Sequence, residues 1–220
     1  MCGRYTLYHH EDDLAGLFEV ETFPLEERYN IAPTQYVPVV RARLDGSREL
    51  DSMRWGLIPH WVKEPKEFKA NLFNARAESA ADKPSFRDAM RKGRCLLPAS
   101  GFYEWKQEGP RKQPYFIRRT DGAPLALAGL YAHWGRGEGA LLSCTILTTD
   151  ANGDVAALHD RMPLILERTD WSRWLDPGEV EPRNVLDLLA VPAEGRLESW
   201  PVGREVGDAR SEGPQLVARQ

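Results

Sequence analysis

The sequence predicts an α+β fold in a single domain, with a curved antiparallel sheet or barrel-like core and a few flanking helices. Three observations lead to this prediction. The 220 residues fit the length of one domain. Many short apolar or alternating segments are separated by glycine and proline, as in strands joined by turns. Few segments have the periodicity of helices. We therefore assign residues 1–220 to one domain.

The predicted helices are short and amphipathic. They cover residues 11–19, 85–93 and 169–177. Ser85 is a candidate N-cap of the second helix and Gly93 its stop, while the third helix lies between a threonine and a proline. These three segments supply the helices that flank the sheet.

The predicted strands are segments of alternating or continuous apolar character. They are residues 36–43, 94–98, 114–118, 125–131 and 141–148. The chain from about Asp208 onward is polar, and we expect it to be loosely packed.

Charge and composition restrict the kind of partner. The formal net charge is -4 and the sequence pI about 5.8. This argues against a general DNA-coating protein, because nonspecific affinity for DNA comes mainly from lysine and arginine on phosphates. Binding to nucleic acid therefore has to depend on particular arginines. The 7 tryptophans fit either a core or a surface that stacks on bases.

The three cysteines are widely spaced and do not form a disulfide framework. No apolar run reaches the ~18 residues of a membrane span, and the first residues lack the apolar region of a signal peptide. We therefore expect a reducing, cytoplasmic location and no membrane partner. No CxxC, HExxH or GxxxxGK[ST] motif is present, so neither a metal nor a nucleotide cofactor is expected.

Cys2 becomes the N-terminal residue if Met1 is removed. It would then carry an α-amine, whose ordinary pKa is about 7.7–8.0, beside a thiol, whose ordinary pKa is about 8.5. This 1,2-aminothiol attacks an aldehyde through nitrogen to give a Schiff base. The sulfur then closes a five-membered thiazolidine ring in a favourable intramolecular step.

Two further motifs place polar groups among apolar ones. In NARAES, residues 74–79, the side chains of Asn74, Arg76 and Glu78 alternate and would share one face of a strand. In GFYEW, residues 101–105, Glu104 lies between aromatic residues. Its pKa would rise by desolvation, so that it exchanges protons near neutrality.

Three more motifs suggest a proton donor and a DNA-contacting surface. His159 precedes an acid, a base and an apolar strand in LHDRMPLIL, residues 158–166, and is a candidate acid. RYNIAP and RWGLIP, residues 28–33 and 54–59, each end in proline. There Pro33 and Trp55 would present rigid apolar surfaces to a base. A histidine within the fold and loops entering the core are the alternative interpretations.

Taken together, these motifs resemble the SRAP family, the SOS response associated peptidases also called abasic site processing proteins. The resemblance extends in order over almost the whole chain. Its motifs are MCGRY, RYNIAP, RWGLIP, NARAES, GFYEW, QPYFI, LHDRMPLIL and PVGREVG.

The resemblance implies a catalytic role for four residues. Cys2 forms a thiazolidine with the ring-opened aldehyde of an abasic sugar, and Asn74 orients the adduct. Glu104 transfers protons during Schiff-base formation and ring closure. His159 assists as an acid in opening the sugar or in reversing the adduct. Weak lyase activity and autocatalytic removal of residues before the cysteine are also implied.

The resemblance further implies how DNA is held. Arg4, Arg76 and Arg161 contact phosphates around the lesion. Pro33 and Trp55 form a wedge that stacks on the flanking base and excludes continuous duplex. The implied partner is single-stranded DNA with abasic sites, or a junction with duplex on one side. We expect a monomer that associates with the nucleoid when bound to damaged DNA.

Some residues depart from the family pattern or fall outside it. Asp208 stands where members of the family often have asparagine, and an acid there would repel a phosphate. Met162 replaces a residue that is often polar. Cys95 and Cys144 match no catalytic position and are expected to be buried strand residues.

Two alternatives remain open from the residues alone. A thiol peptidase would use Cys2 with His159 and either Glu104 or Asn74, would cleave peptides and would need no free α-amine. A noncatalytic single-strand binding module would keep all its activity in a Cys2→Ala variant. The net charge of -4 counts against the second alternative.

Overall fold

The computed structural model describes residues 2–22 and 24–220. The strands are β1 (Tyr5–Leu7), β2 (Arg28–Ile31), β3 (Tyr36–Ala42), β4 (Arg48–Trp55), β5 (Asn74–Arg76), β6 (Arg94–Ala99), β7 (Gly101–Glu108), β8 (Arg111–Arg119), β9 (Leu125–Trp134), β10 (Leu141–Asp150), β11 (Arg161–Pro163) and β12 (Leu197–Pro201). The α-helices are α1 (Glu11–Phe18), α2 (Ala77–Ala80), α3 (Arg87–Lys92) and α4 (Trp171–Leu175). Short 3₁₀ turns connect several of them.

Five strands close into a barrel, which confirms the predicted α+β architecture with a barrel-like core. Hydrogen bonds join them in the order β10, β4, β3, β6, β9, and β9 pairs with β10 to complete the circle. The pairs are antiparallel except for β4 with β10. The side chains of Val39, Leu96 and Ile146 are fully buried and belong to the hydrophobic core.

A second antiparallel sheet packs beside the barrel, in the order β12, β8, β7, β1, β2. Gly101 begins β7 at a crowded point: a Cβ there would clash with the ring of Phe116 and the carbonyl of Ile117. Only glycine lets β7 approach β8 this closely. The short β1 is therefore held against the start of β7, where Tyr5 lies opposite Phe102.

Strand β1 also connects the two sheets. The Tyr5 ring meets the Trp55 ring edge to face, with 5.3 Å between centroids, a favourable aromatic geometry. Trp55 is the last residue of the barrel strand β4. Both rings are fully buried, so the residues that precede β1 lie at the junction of the two sheets.

Helices α1, α3 and α4 lie within the segments predicted to be helical, whereas α2 forms where a strand was predicted, and two of the predicted caps are wrong. Helix α3 begins at Arg87 after Phe86, and the backbone of the turn before it takes the place of a Ser85 cap. The third helix is only α4, preceded by a 3₁₀ turn whose last residue, Asp170, is its N-cap. Hydrogen bonding by the neighbouring turn outweighs local cap preference at both sites.

Arg94 at the start of β6 is buried, with 6% of its surface exposed. Burial lowers its pKa, while Glu179 and Asp176 raise it in part. Its guanidinium donates to five backbone carbonyls that end α3 and surround α4. They belong to Met90, Arg91, Trp174, Asp176 and Glu179.

The chain after Asp208 is packed against the second sheet, and the prediction of a loose tail is wrong. Leu216 is fully buried. The Glu212 carboxylate accepts the backbone N–H groups of Tyr29 and Asn30 at 2.8 and 3.3 Å. The Asn30 side-chain amide donates to the carbonyls of Asp208 and Ser211. Polar composition concealed these contacts, because the carboxylate and amide bond to backbone.

Within the described residues, every helix is too short or too polar to cross a lipid bilayer.

Candidate active site

Cys2 lies at the junction of the two sheets, immediately before β1. Its side chain is fully buried, and Sγ is 4.0 Å from the carbonyl oxygen of Arg4. Burial raises the pKa of the thiol far above its ordinary value, and the nearby Glu104 carboxylate adds to the rise. The sulfur is therefore held as a neutral thiol at physiological pH.

Glu104 lies on β7, opposite Tyr115 of β8, and only 2% of it is exposed. Burial raises the pKa of its carboxyl group, and nearby His159 lowers it in part. Strand pairing explains the position: the backbone N–H of Tyr103 donates to the carbonyl of Arg4, which brings β7 alongside the residue before β1. The carboxyl group thus faces the cysteine from the neighbouring strand.

His159 precedes β11 and reaches the same place from the barrel side. Its backbone N–H donates to the carbonyl of Val155, which closes a turn. The backbone N–H of Arg161 donates to its Nδ1 at 2.9 Å. Three residues that are distant in sequence, Cys2, Glu104 and His159, therefore converge.

Their meeting point opens into a cleft of about 400 Å³. It is lined by Gly3, Arg4, Glu104, Trp105, Lys112, His159 and Gly207. Sequence reasoning missed Trp105 and Lys112. The β7–β8 hairpin returns Lys112 to a position opposite Gln107, a pairing that only the register of the hairpin reveals.

Arg4 supplies a cation to one wall of the cleft. Its guanidinium donates to the carbonyls of Gly3 and Gly207 at 3.2 and 3.3 Å. Burial lowers its pKa, and Asp208 raises it in part. Asp208 itself pairs with Arg210 at 2.7 Å.

Asn74 begins β5, which lies parallel to β10 and places Asn74 beside Ile146. Both polar atoms of its side-chain amide are buried, and neither has a hydrogen-bond partner among the described residues. Buried amides are nearly always paired. Asn74 is not among the residues that line the cleft, and its contact with the opened sugar stays a prediction.

Trp55 ends β4 and is not an exposed wedge. It is fully buried, and its Nε1–H donates to the carbonyl of Phe73 at 2.8 Å. The prediction that Trp55 stacks on a base is wrong, because no face of the ring is accessible. Its backbone carbonyl accepts the N–H of Thr34, so Trp55 supports the loop that carries half-buried Pro33.

Trp61 is an exposed aromatic residue that sequence reasoning missed. About half of its surface, 51%, is exposed, and its ring meets Phe68 edge to face at 6.2 Å. The segment also carries three exposed lysines. They are Lys63, Lys66 and Lys69. A tryptophan among lysines is a recognisable signal for a surface that stacks on bases.

The two arginines predicted beyond the cleft differ in their surroundings. Arg76 ends β5 and is exposed. Arg161 is bound by the carboxylates of Glu78 and Asp150 at 2.7 and 2.6 Å and donates to the carbonyl of Thr148. Glu78 lies in α2, so the predicted strand face ends at Arg76. Phosphate contacts by either arginine remain predictions.

A larger groove, of about 900 Å³, lies away from the cysteine, between the β3–β4 hairpin and α4. Its charged side chains pair with one another: Arg43 with Glu49 at 2.8 Å, and Arg48 with Glu19 at 3.3 Å. We place the functional site at the smaller cleft, because it holds the reactive groups. Cys95 and Cys144 are buried strand residues, as predicted.

Curated relatives of this chain share one description. An abasic site processing protein of Bacillus subtilis, YoqW, is 38% identical, over 99% of both chains. YedK of Escherichia coli, with the same description, is 33% identical over 99% of both. The chicken protein HMCES, also so described, is 34% identical over 86% of this chain and 65% of its own.

Solved structures and the family profile agree with these relatives. A crystal structure of a Bacteroides thetaiotaomicron protein superposes with a TM-score of 0.88, at 25% identity and over 100% of both chains. A Bordetella bronchiseptica protein gives 0.79 at 28% identity, over 92% of this chain and 100% of its own. The profile named SOS response associated peptidase (SRAP) matches residues 1–209. The chain therefore belongs to the SRAP family.

Proposed function

We propose that the protein processes abasic sites in single-stranded DNA by joining Cys2 covalently to the ring-opened sugar. The observation that carries the proposal is the convergence of Cys2, Glu104 and His159 at one cleft. The names of the relatives support the choice of substrate, since each is described as an abasic site processing protein. The product is a DNA–protein crosslink that shields the lesion.

The proposed reaction begins once Met1, which lies outside the described residues, has been removed. The α-amine of Cys2 attacks the sugar aldehyde, and the resulting carbinolamine loses one water molecule to give a Schiff base. The thiol then adds across the C=N bond, with sulfur on carbon and a proton on nitrogen. The balance is one aldehyde and one aminothiol giving one thiazolidine and one water. No cofactor enters this balance.

The electrostatics of the site favour this order of steps. The raised pKa of the Cys2 thiol keeps the sulfur neutral, so nitrogen reacts first. The raised pKa of Glu104 keeps a larger protonated fraction near neutrality than an exposed glutamate would have. Protonated Glu104 donates to the departing water, and the resulting carboxylate accepts the thiol proton during ring closure.

The remaining predicted residues would hold the DNA. Arg4 and Lys112 line the cleft and would contact phosphates beside the lesion, with Arg76 further along. The amide of Asn74 would bond the opened sugar. Because Trp55 is buried, we assign its stacking role to exposed Trp61, with Pro33 on the other part of the wedge. A wedge of this kind favours single strands and junctions over continuous duplex.

The proposal is tested with a single-stranded oligonucleotide that carries one abasic site. Purified protein without Met1, as verified by mass, is mixed with it, boiled in denaturant and run on a gel. We expect a shifted band that is absent with an intact oligonucleotide and with an abasic site reduced beforehand to the alcohol. No band from any oligonucleotide would contradict the proposal.

Lyase and peptidase activities are secondary proposals. A Schiff base at the sugar promotes β-elimination, so slow strand cleavage is expected. The family description supports a peptidase activity, and Cys2 with His159 would perform it. Retaining Met1 separates the two chemistries, because the crosslink needs the α-amine of Cys2 and a thiol peptidase does not.

Glu104→Gln is expected to slow crosslinking by about 10²-fold or more, because glutamine transfers no proton. The wild-type rate should also fall as pH rises through the raised pKa of Glu104, since its acidic form is then lost. Single-turnover rates from pH 5 to 9 measure both effects. Glu108→Gln, on the exposed end of the same strand, is the matched control. Wild-type rates for Glu104→Gln at every pH would show that Glu104 transfers no proton in the reaction.

Trp61→Ala is expected to weaken binding to single-stranded DNA by about 1–3 kcal/mol, the value of one stacked base. Fluorescence anisotropy with an oligonucleotide that lacks an abasic site measures this. Leu44→Ala, at an apolar residue that is 95% exposed on the β3–β4 hairpin, is the control for loss of exposed apolar surface. Equal affinities of the two variants would exclude stacking on Trp61.

A further inference from the structure

We propose that Tyr36 is a base-stacking site for a nucleotide beside the lesion, with Arg28 and Arg54 holding the phosphates that flank it. This inference rests on the proposed function, in which single-stranded DNA occupies the cleft. It adds a third contact surface, at the start of β3, to the cleft and to exposed Trp61.

Tyr36 is an aromatic residue whose side chain the fold leaves in solvent. It begins β3, and 56% of its surface is exposed. The next residue, Val37, is buried in the core, so the alternation of a strand directs Tyr36 outward. An exposed ring of this kind is suited to stacking on a base, because every base has a π face.

Arg54 of β4 lies directly opposite Tyr36 and shares its face of the sheet. Its guanidinium folds back over Gly56 and donates to the carbonyl of that glycine at 2.7 Å. Glycine permits this approach, because φ is +126° there and a Cβ would lie 2.8 Å from the guanidinium nitrogen. A cation fixed in position therefore accompanies the exposed ring.

Arg28 supplies a second cation, from β2. Its guanidinium donates to the carbonyl of Tyr36 at 2.9 Å and to Oε1 of Gln35. Among the described residues, neither Arg28 nor Arg54 is paired with a carboxylate, and most N–H groups of the two side chains have no protein acceptor. These donors can therefore bind phosphate oxygens. With a net charge of -4, binding to DNA has to depend on such particular arginines.

The loop before Tyr36 lies at the Cys2 end of β1. Strands β1 and β2 are antiparallel, with Tyr5 opposite Ile31, so the residues that follow Ile31 continue towards those that precede β1. This loop contains Pro33, which the proposed function places beside the flanking base. A single strand that leaves the cleft past Pro33 would therefore meet the ring of Tyr36 next.

Hydrogen bonds hold the loop in one conformation. Thr34 has a φ of 78°, a rare value for a β-branched residue, and its N–H donates to the carbonyl of Trp55 at 2.7 Å. Oε1 of Gln35 accepts the N–H of Ala32 at 3.0 Å. Backbone strain of this kind clusters at sites that bind ligands. A ring that is positioned in advance loses little freedom when a base stacks on it.

Binding to a single strand that lacks an abasic site tests the ring. Tyr36→Ala and Tyr36→Leu should weaken binding by about 5- to 100-fold, the effect of losing one stacked base, whereas Tyr36→Phe should bind as wild type does. Leucine keeps apolar surface without a π face, so it separates stacking from apolar contact. Fluorescence anisotropy measures the affinities. Wild-type affinity of Tyr36→Leu, or an equal loss in Tyr36→Phe, would overturn the proposal.

The salt dependence of the same binding tests the arginines. Arg28→Gln and Arg54→Gln should each reduce the slope of log affinity against log salt by about 0.7, the value for one phosphate of a single strand. Arg43→Gln is the matched control, because Arg43 is exposed at the far end of the β3–β4 hairpin and already pairs with Glu49 at 2.8 Å. Slopes that match the control in both variants would exclude these phosphate contacts.

Photocrosslinking locates the ring on the DNA. We would place 5-iododeoxyuridine at successive positions on each side of the abasic site, irradiate the complex and map the labelled peptide by mass spectrometry. Tyr36 should be labelled from one side of the lesion, and labelling from neither side would contradict the site. If wild type forms no Cys2 adduct but Tyr36→Leu loses affinity, the proposed function fails and this site stands. If the adduct forms and Tyr36→Leu binds as wild type does, only this site fails.

Discussion

The Cys2→Ala variant is expected to form no DNA adduct that survives boiling, a complete loss relative to wild type. Alanine is small enough for Met1 to be removed, so the variant retains a free α-amine at the same place. It would form only the reversible Schiff base, because no sulfur is present to close the ring. The gel with a single abasic site measures this, and borohydride trapping of the Schiff base shows that the amine still reacts.

Two further variants refine the test of the nucleophile. Cys2→Ser should keep Schiff-base and lyase activity but give no stable adduct, since an oxazolidine is more labile than a thiazolidine. Cys95→Ala and Cys144→Ala remove thiols that are equally buried but lie within the barrel, and they should crosslink as wild type does. An adduct of Cys2→Ser that survives boiling as well as wild type would contradict the proposed role of the sulfur.

Arg94→Ala is expected to lower the free energy of unfolding by on the order of 3 kcal/mol. The variant leaves five backbone carbonyls at the ends of α3 and around α4 without their donor. A buried carbonyl without a hydrogen-bond donor destabilises the folded state, and the alanine side chain offers no donor to replace the guanidinium. Urea unfolding monitored by tryptophan fluorescence measures the change, since Trp174 packs beside the guanidinium.

Arg91→Ala is the matched control for this prediction. Arg91 is exposed on the same helix and donates one hydrogen bond, to the carbonyl of Val180 at 3.3 Å. Its loss should change stability by no more than about 0.5 kcal/mol. Similar losses in the two variants would mean that water replaces the Arg94 hydrogen bonds.

Much of the fold follows from local pattern. Alternation and turn residues predicted the strands near 36–43, 94–98 and 141–148, because each of these segments has an apolar face that must be buried. Closure into a barrel depends on pairings such as that of β4 with β10, which join residues nearly ninety positions apart. No local signal encodes such a pairing. The caps failed for the same reason, since neighbouring turns supply the hydrogen bonds.

For the candidate site, the sequence predicted which groups are reactive but not which side chains are exposed to solvent. The motifs identified Cys2, Glu104 and His159, because aminothiol, carboxyl and imidazole groups are recognisable by type. They did not show which tryptophan faces the solvent. Trp55 and Trp61 are only six residues apart in the sequence, yet Trp55 is buried and Trp61 is 51% exposed. Trp55 is covered by Tyr5 from the second sheet and by Phe73, contacts that the local sequence does not reveal.

The contact between Arg4 and Gly207 joins the beginning of the chain to its last quarter, and it lies beside the residue whose free α-amine the proposed chemistry needs. An addition after the C-terminus leaves the α-amine of Cys2 unchanged. Any segment that remains attached before Cys2 turns that amine into an amide and ends the proposed chemistry. The proposed chemistry therefore requires Cys2 to be the first residue of the mature chain.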